Sequence, residues 1–230
     1  MIGHKNIHKL IYRKFLPRLW QDKVDLIRGE SQVFRPCFQE TKSIFIHIPK
    51  AAGTSIARSI YGMNVGHRKA SDYIAVSDSE FKKYYRFSFV RNPWDRAISA
   101  YNFVKQGGTS LVQPLPNNIY KSSMFNTFET FVTEWLPYQD LRKTDVVFEP
   151  QYKYVYDTNN QLLVDFIGKI ENIDTDLKKI KLQINKKIEV KQLNKSNRQQ
   201  EGYKAYYTPK SAEIIEKIYH NDIALFNYEF

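Results

Sequence analysis

Two short β-rich runs, each followed at once by a turn and an amphipathic segment, constrain the fold of this chain most strongly. The first run is SIFIHI at 43–48, and the residues at 55–60 begin a predicted helix soon after it. The second is RFSFV at 86–90, followed by Asn92 and Pro93, which favour the N-cap and the first position of a helix. The repeated order of strand, turn and helix predicts an α/β fold, a three-layer sandwich with a central parallel sheet.

The spacing of apolar residues predicts the remaining elements. A buried strand is predicted at 162–167 (LLVDFI), and the longest irregular insertion lies at 105–123. Helical spacing predicts four inner faces, at Trp94, Ala97, Ile98 and Tyr101; at Phe125, Phe128, Val132 and Trp135; at Ile173, Leu177, Ile180 and Ile184; and at Ile215, Ile218, Tyr219 and Ile223.

Composition narrows the class of protein. The length of 230 residues and the apolar fraction of 42% suit one globular domain and argue against wholesale disorder. No apolar run approaches the roughly 20 residues that a membrane span needs, and the N-terminus lacks the apolar region of a signal peptide. The single Cys37 fits a reducing compartment. We therefore expect a cytoplasmic protein.

The net charge of +11 predicts an affinity for anions without selecting among them. Residues 1–42 form a predicted basic helical extension, and 43–230 a single catalytic domain. Apolar and basic residues alternate at roughly helical spacing in 1–30. This pattern, whose apolar residues are Ile7, Leu10, Ile11, Phe15, Leu19 and Trp20, favours a helix that packs on the core, and the alternative is a peripheral helix on a membrane surface.

The segment IPKAAGTSI at 48–56 has the composition of an anion-binding turn. A helix N-terminus offers unpaired N–H groups and a partial positive charge. Gly53 is expected to let the backbone approach a phosphate, Thr54 and Ser55 to donate hydroxyl hydrogen bonds, and Lys50 to supply a cation. The lysine precedes the glycine, so this is not the phosphate loop of nucleoside triphosphatases, in which the lysine follows.

The segment FVRNPWDRAISAY at 89–101 carries the second signal. Arg91 follows the carboxyl end of a predicted strand, where ligands of open α/β sheets collect. Ser99 lies about two turns into the following helix, and its hydroxyl is expected to share an anion with Arg91.

Together the two segments resemble those of the Golgi-type and bacterial carbohydrate sulfotransferases, known as sulfotransferase family 2. In that family a P-K-x-x-[GS]-[ST]-[ST]-like loop precedes an R-[DN]-P-x-x-R-x-x-S-x-[YF] motif. Matching residues are Pro49, Lys50, Gly53, Thr54 and Ser55 in the first, and Arg91, Asn92, Pro93, Arg96, Ser99 and Tyr101 in the second. The similarity extends to Gly66-His67, Pro150-Gln151 with Tyr154, FIGKIEN at 166–172, LNKS at 193–196 and the ending IYHNDIALFNYEF.

The resemblance implies a donor, 3′-phosphoadenosine-5′-phosphosulfate (PAPS), a product, adenosine 3′,5′-bisphosphate (PAP), and a loop like that of P-loop kinases. It implies that Pro49, Lys50, Ala52, Gly53, Thr54 and Ser55 hold the 5′-phosphosulfate, that Arg91 and Ser99 hold the 3′-phosphate, and that Lys195 and Ser196 close over the nucleotide. No metal is implied, and the sequence shows no metal-ligand spacing.

His67 is the candidate general base, since an acceptor hydroxyl has to lose a proton and histidine titrates near neutral pH. The neighbouring Arg68 and Lys69 are expected to lower its pKa and to attract an acidic acceptor. His47 is expected to pack or hydrogen-bond, and Glu171 to pair with Arg or Lys residues.

The resulting hypothesis is a PAPS-dependent sulfotransferase that moves a sulfuryl group in line to a hydroxyl of a saccharide or glycoconjugate. One alternative is a nucleotide or sugar kinase, which should show a lysine after the glycine and an acidic Mg²⁺ ligand. The other is a basic nucleic-acid-binding domain, which should show a recognisable binding motif. The sequence shows none of these features, so no nucleic-acid partner is expected, and it does not indicate an oligomeric state.

Overall fold

A computed structural model describes residues 15–108, 113–114, 117–184 and 202–230, and it shows the predicted mixture of helices and parallel strands. The strands are β1 (Ser43–Ile46), β2 (Tyr85–Val90) and β3 (Phe166–Lys169), hydrogen-bonded in that order. The α-helices are α1 (Arg18–Ile27), α2 (Pro36–Thr41), α3 (Gly53–Tyr61), α4 (Ala70–Phe81), α5 (Pro93–Lys105), α6 (Phe128–Thr130), α7 (Tyr152–Val155), α8 (Ile173–Gln183), α9 (Pro209–Ile218) and α10 (His220–Phe226). No helix within the described ranges is both long and apolar enough to cross a bilayer.

The sheet brings three turns to one edge. Its strands are parallel, with Ile46 of β1 beside Ser88 and Val90 of β2 beside Lys169. The segments that leave the carboxyl ends of β1, β2 and β3 are therefore neighbours, which is the usual place for a ligand in an open α/β sheet.

Two apolar clusters support this edge. The first joins the strands to α2, α3, α4 and α8, and Phe45, Phe87 and Phe89 lie at its centre with at most 1% exposure. The second lies between α5, the segment from Tyr120 to Phe148, and α9. Because α5 begins immediately after β2, this second cluster fixes the helix that carries the second motif.

The third strand lies later in the chain than predicted. It begins at Phe166, whereas Leu162 forms only an isolated antiparallel bridge with Tyr156 and is 46% exposed. Asp165 explains the shift, since its carboxylate accepts hydrogen bonds from the backbone N–H and the guanidinium of Arg86, at the start of β2. The prediction of a buried strand at 162–167 is therefore wrong in its boundaries.

Two predicted helices are broken. The Phe125–Trp135 pattern is a succession of 3₁₀, α and π turns, because the Thr127 hydroxyl caps a new helix start and the wider π turn accommodates several aromatic rings. The C-terminal helix stops at Ile218, and α10 begins after Tyr219, whose hydroxyl donates to the carbonyl of Phe148 (2.9 Å).

The N-terminal helix α1 faces the domain with Asp22, Asp25 and Leu26, and Leu26 packs against the first apolar cluster. Asp22 and Asp25 are each 3% exposed, whereas Leu19 and Trp20 are 40% and 57% exposed. Leu19 and Trp20, two of the apolar residues expected in this helix, therefore do not pack on the core.

Candidate active site

The turn after β1 has an unusual backbone. Lys50 and Ala52 both have positive φ, 68° and 54°, a conformation that is uncommon outside glycine and that clusters at ligand-binding sites. α3 then begins at Gly53, so the first N–H groups of a nine-residue helix point toward the turn, with Thr54 half-buried and Ser55 exposed. This arrangement suits an anion.

Glycine is required at position 53 by the packing of a neighbouring side chain. A Cβ built on Gly53 would lie 1.8 Å from Cδ2 of His47, well inside van der Waals contact. The imidazole of His47 thus packs directly on the backbone of Gly53. His47 fills the space on the Cβ side of Gly53, and the expected role of Gly53 in phosphate binding stays a prediction.

Lys50 joins the two motifs. Its Nζ lies 4.2 Å from the centroid of the Phe103 ring on α5. Its carbonyl oxygen accepts a hydrogen bond from Nη1 of Arg91 (3.2 Å). The two strand-to-helix turns that the sequence singled out are therefore in direct contact.

The arginine of the second motif is held from several sides. Nε of Arg91 donates to Asp95 (2.6 Å), one turn into α5. The Gln151 amide clamps the Arg91 backbone, accepting from its N–H (2.9 Å) and donating to its carbonyl (2.8 Å). Nη2 of Arg91 makes no hydrogen bond with any described residue, which leaves a donor for an anion.

Asp95 and Ser99 are four residues apart and share one side of α5, whereas Arg91 precedes the helix and reaches that side through its bond to Asp95. Arg91 and Ser99 are not in hydrogen-bond contact within the described part of the chain, and Asp95 lies between them in the sequence. The structure thus brings Lys50 and Arg91 together, and it places Ser99 one turn beyond Asp95 without a hydrogen bond to Lys50 or Arg91 within the described residues.

His67 lies in the segment between α3 and α4 and is fixed in one tautomer. Its Nδ1 is 3.1 Å from the carbonyl oxygen of His47. A carbonyl can only accept, so Nδ1 carries the hydrogen and Nε2 of the neutral ring has a free lone pair. Burial lowers the pKa of His67, Lys50 and Arg96 lower it further, and the bond to His47 and the charge of Asp145 oppose them. A neutral imidazole with its lone pair on Nε2 can accept a proton.

The sequence predicted that Arg68 and Lys69 lower the pKa of His67, and this prediction is wrong. Arg68 donates to Asp22 (3.2 Å) and Lys69 to Glu149 (2.5 Å), so a carboxylate offsets each of these charges. Burial is the largest of the causes that lower the pKa of His67. The same two ion pairs fix the segment that carries it.

His47 packs against His67, as expected of a packing residue. The two ring centroids are 4.1 Å apart, and His47 is 3% exposed. Burial, together with the charge of His67, lowers the pKa of His47 to about 3. Its Nδ1 has no hydrogen-bond partner among the described residues.

Arg96 is a positioning residue whose role the sequence did not reveal. It is 2% exposed, and its guanidinium donates to the carbonyl oxygens of Pro49 (3.0 Å), Val147 (3.1 Å) and Glu149 (2.8 Å). Arg96 thereby ties the turn before Lys50 to the segment that ends at Glu149. Its place in the second motif was visible in the sequence, but its partners were not.

Two carboxylates hold the start of α5. Glu171 accepts from the backbone N–H of Asn92 (2.7 Å) and from the Tyr228 hydroxyl (3.0 Å), which is a structural role, and its expected pairing with Arg or Lys residues stays a prediction. Asp222 accepts from the backbone N–H groups of Gln151 and Tyr152 (both 2.8 Å). The Asp222 carboxylate thus supports the Gln151 clamp on Arg91.

Lys195 and Ser196 lie outside the described residues. Within the described ranges, no group of three or more His, Cys, Asp and Glu side chains is placed to hold a metal ion.

Comparison with known proteins gives one match. A family model described as "Sulfotransferase family" matches residues 38–229, which include every described candidate residue. No curated protein and no solved structure matches the chain significantly.

Proposed function

The chain belongs to the sulfotransferase family, and we propose that it transfers a sulfuryl group from PAPS to a hydroxyl of a saccharide or glycoconjugate. The family supports sulfuryl transfer to an acceptor. The observation that carries the choice of donor is the contact between Lys50 and Arg91, because it brings two anion-binding turns together. PAPS has two anionic ends, a 5′-phosphosulfate and a 3′-phosphate, and needs two such turns.

In this proposal the turn after β1 holds the 5′-phosphosulfate. Pro49, Lys50, Ala52 and Gly53 shape it, and Thr54 and Ser55 add hydroxyl donors. Arg91 and Ser99 hold the 3′-phosphate, each charge-assisted hydrogen bond contributing about 1.5–3 kcal/mol. Lys195 and Ser196 are proposed to close over the nucleotide.

The reaction follows from these placements. The acceptor oxygen forms a bond to sulfur while the bond from sulfur to the 5′-phosphate oxygen breaks, and that oxygen leaves with the electron pair as part of PAP. The Lys50 ammonium lies over the face of Phe103 in this structure, and rotation of its flexible side chain would carry it to the departing oxygen. Nε2 of His67 takes the acceptor proton.

Further parts of the proposal concern the whole chain. We propose that 43–230 form one catalytic domain, a three-layer sandwich with a P-loop-like turn, preceded by an extension at 1–42, and that the protein is cytoplasmic. The net charge of +11 favours an acidic acceptor.

Ligand-dependent thermal stability tests the proposal. PAP without added metal should stabilise the protein, by about 2.7 kcal/mol at 100 times its Kd. ATP with Mg²⁺ and a DNA oligonucleotide are the comparison ligands. Greater stabilisation by ATP with Mg²⁺ would favour a kinase, and stabilisation by the oligonucleotide alone would favour nucleic-acid binding. Screening glycan acceptors with ³⁵S-labelled PAPS would then identify the acceptor.

A further inference from the structure

The helix α1 presents Leu19, Trp20 and Ile27 to solvent, while two carboxylates and Leu26 face the protein. Trp20 is 57% exposed and Ile27 86%, whereas Asp22 and Asp25 are each 3% exposed. An ordinary surface helix of a globular protein has the opposite arrangement, with its apolar side buried. The reversed orientation has to be explained by what α1 contacts on each side.

Ion pairs fix the inward side. Asp22 accepts from Arg68 (3.2 Å) and lies 3.5 Å from Nε of Arg18, and α1 packs against α4. Rolling the helix to bury its apolar side would break the Asp22–Arg68 pair and leave Arg68 without its carboxylate. The outward orientation of Trp20 and Ile27 is therefore a consequence of specific contacts.

The outward side forms a continuous stripe. Trp20, Lys23 and Ile27 follow one another at intervals of three and four residues, which places them along one line of α1, and Leu19 lies beside them. Leu16 precedes the helix and is 37% exposed. Nζ of Lys23 lies 5.2 Å from the centroid of the Trp20 ring. We call this set the α1 stripe. Its one charged member is a lysine, whose long stem can cover apolar surface while the ammonium reaches out.

The sequence that leads into the stripe is basic. The first 21 residues contain Lys5, Lys9, Arg13, Lys14 and Arg18 and no Asp or Glu. An anionic lipid surface binds helices that carry tryptophan and other apolar side chains beside basic residues. The apolar groups enter the headgroup region, and the cations contact the lipid phosphates.

We propose that the α1 stripe docks on an anionic membrane surface, with the helix lying in the plane of the membrane. A second copy of the chain is a poorer occupant, because a two-fold interface on the stripe would bring the cations Arg18 and Lys23 of the two copies together, and like charges repel. The α1 stripe lies before residue 38, outside the family match, and this proposal does not depend on the proposed function.

Tryptophan fluorescence of the full chain with vesicles tests the docking. Trp94 and Trp135 are 3% and 4% exposed, so a change on lipid binding reports mainly on Trp20. Vesicles of phosphatidylcholine with about 30% phosphatidylglycerol should shift the emission to shorter wavelength and protect it from acrylamide. Pure phosphatidylcholine vesicles should bind at least tenfold more weakly, and salt should weaken binding to the anionic vesicles.

Variants identify the surface. In vesicle co-sedimentation, Trp20→Ser with Ile27→Ser should weaken binding at least tenfold, and Lys23→Glu at least fivefold, since one basic residue near an anionic surface is worth roughly a factor of five. The matched control is Tyr138→Ser with Leu182→Ser, two residues that are 78% and 85% exposed elsewhere, and it should bind like the parent. Circular dichroism checks that each variant folds, and PAP-induced stabilisation should be unchanged in all of them.

Three results would overturn the proposal: equal affinity for the two kinds of vesicle, full binding by the Trp20 and Ile27 variant, or no vesicle binding at all. If the protein binds no vesicles, sedimentation velocity tests whether a second copy covers the stripe instead. The parent would then form a dimer, and the variant with Trp20→Ser and Ile27→Ser would not.

Discussion

Acidification should destabilise this protein through His47, the buried imidazole that packs between Gly53 and His67. Burial and the charge of His67 lower its pKa to about 3, whereas an unfolded chain has a histidine pKa of about 6.5. Between these two values the unfolded state binds a proton that the folded state does not. The free energy of unfolding therefore falls as the pH falls through this window.

The size of the effect follows from the two pKa values. Proton linkage gives a loss of about 2 kcal/mol from His47 alone between about pH 7.5 and pH 5. The pKa of His67 is also lowered, so its contribution has the same sign. His47→Phe removes the titrating group but keeps a flat ring against Phe45, which stacks on His47 at 5.6 Å.

Urea denaturation at several pH values, followed by circular dichroism, measures this contribution. The parent should lose about 2 kcal/mol more than His47→Phe over that range, with similar m-values. The reasoning would be refuted if the two proteins lost the same stability. His220→Phe is the matched control for replacing a histidine with phenylalanine, since His220 is exposed.

Three further substitutions test other parts of the account. Gly53→Ala places a methyl group against His47 and should cost about 1–3 kcal/mol in urea denaturation, whereas unchanged stability would mean that the His47 ring can move away. Arg96→Leu should cost at least about 3 kcal/mol, because three buried carbonyl groups lose their donor, and a loss below about 1 kcal/mol would contradict its positioning role. Once an acceptor is known, His67→Ala should lower kcat by about 10²–10⁴-fold with little change in PAP affinity, and the acidic limb of the pH–rate profile should disappear. Retention of more than about a tenth of the activity, with that limb intact, would mean that the base lies elsewhere.

The two strand-to-helix units could be predicted because their signals are local. Asn92 caps α5 by accepting from the N–H groups of Trp94 and Asp95, and Pro93 occupies the first turn, as the sequence indicated. The start of β3 depends on an interaction that is not local, since Asp165 binds Arg86, a residue 79 positions away. A propensity pattern contains no such partner, so the strand was placed too early.

The candidate site was predictable in its residues and less so in their partners. Family-like motifs located Lys50, Arg91 and His67. The contact of Gly53 with His47 depends on tertiary packing that no spacing reveals. The orientation of α1 was also beyond sequence reasoning, because an amphipathic pattern shows that one side is apolar but not which side meets the domain. That choice depends on Asp22 and Arg68, which are 46 positions apart.

Calorimetric titration of PAP and adenosine 5′-phosphate into the parent and Arg91→Ala tests the central claim most directly, because the two ligands differ only in the 3′-phosphate. The parent should bind PAP about 10–100 times more tightly, and Arg91→Ala should reduce that preference to about threefold or less. Arg142→Ala, at an arginine whose side chain is 71% exposed, is the matched control and should keep the preference. If Arg91→Ala keeps the full preference for PAP, Arg91 does not hold the 3′-phosphate and the proposed donor site is contradicted.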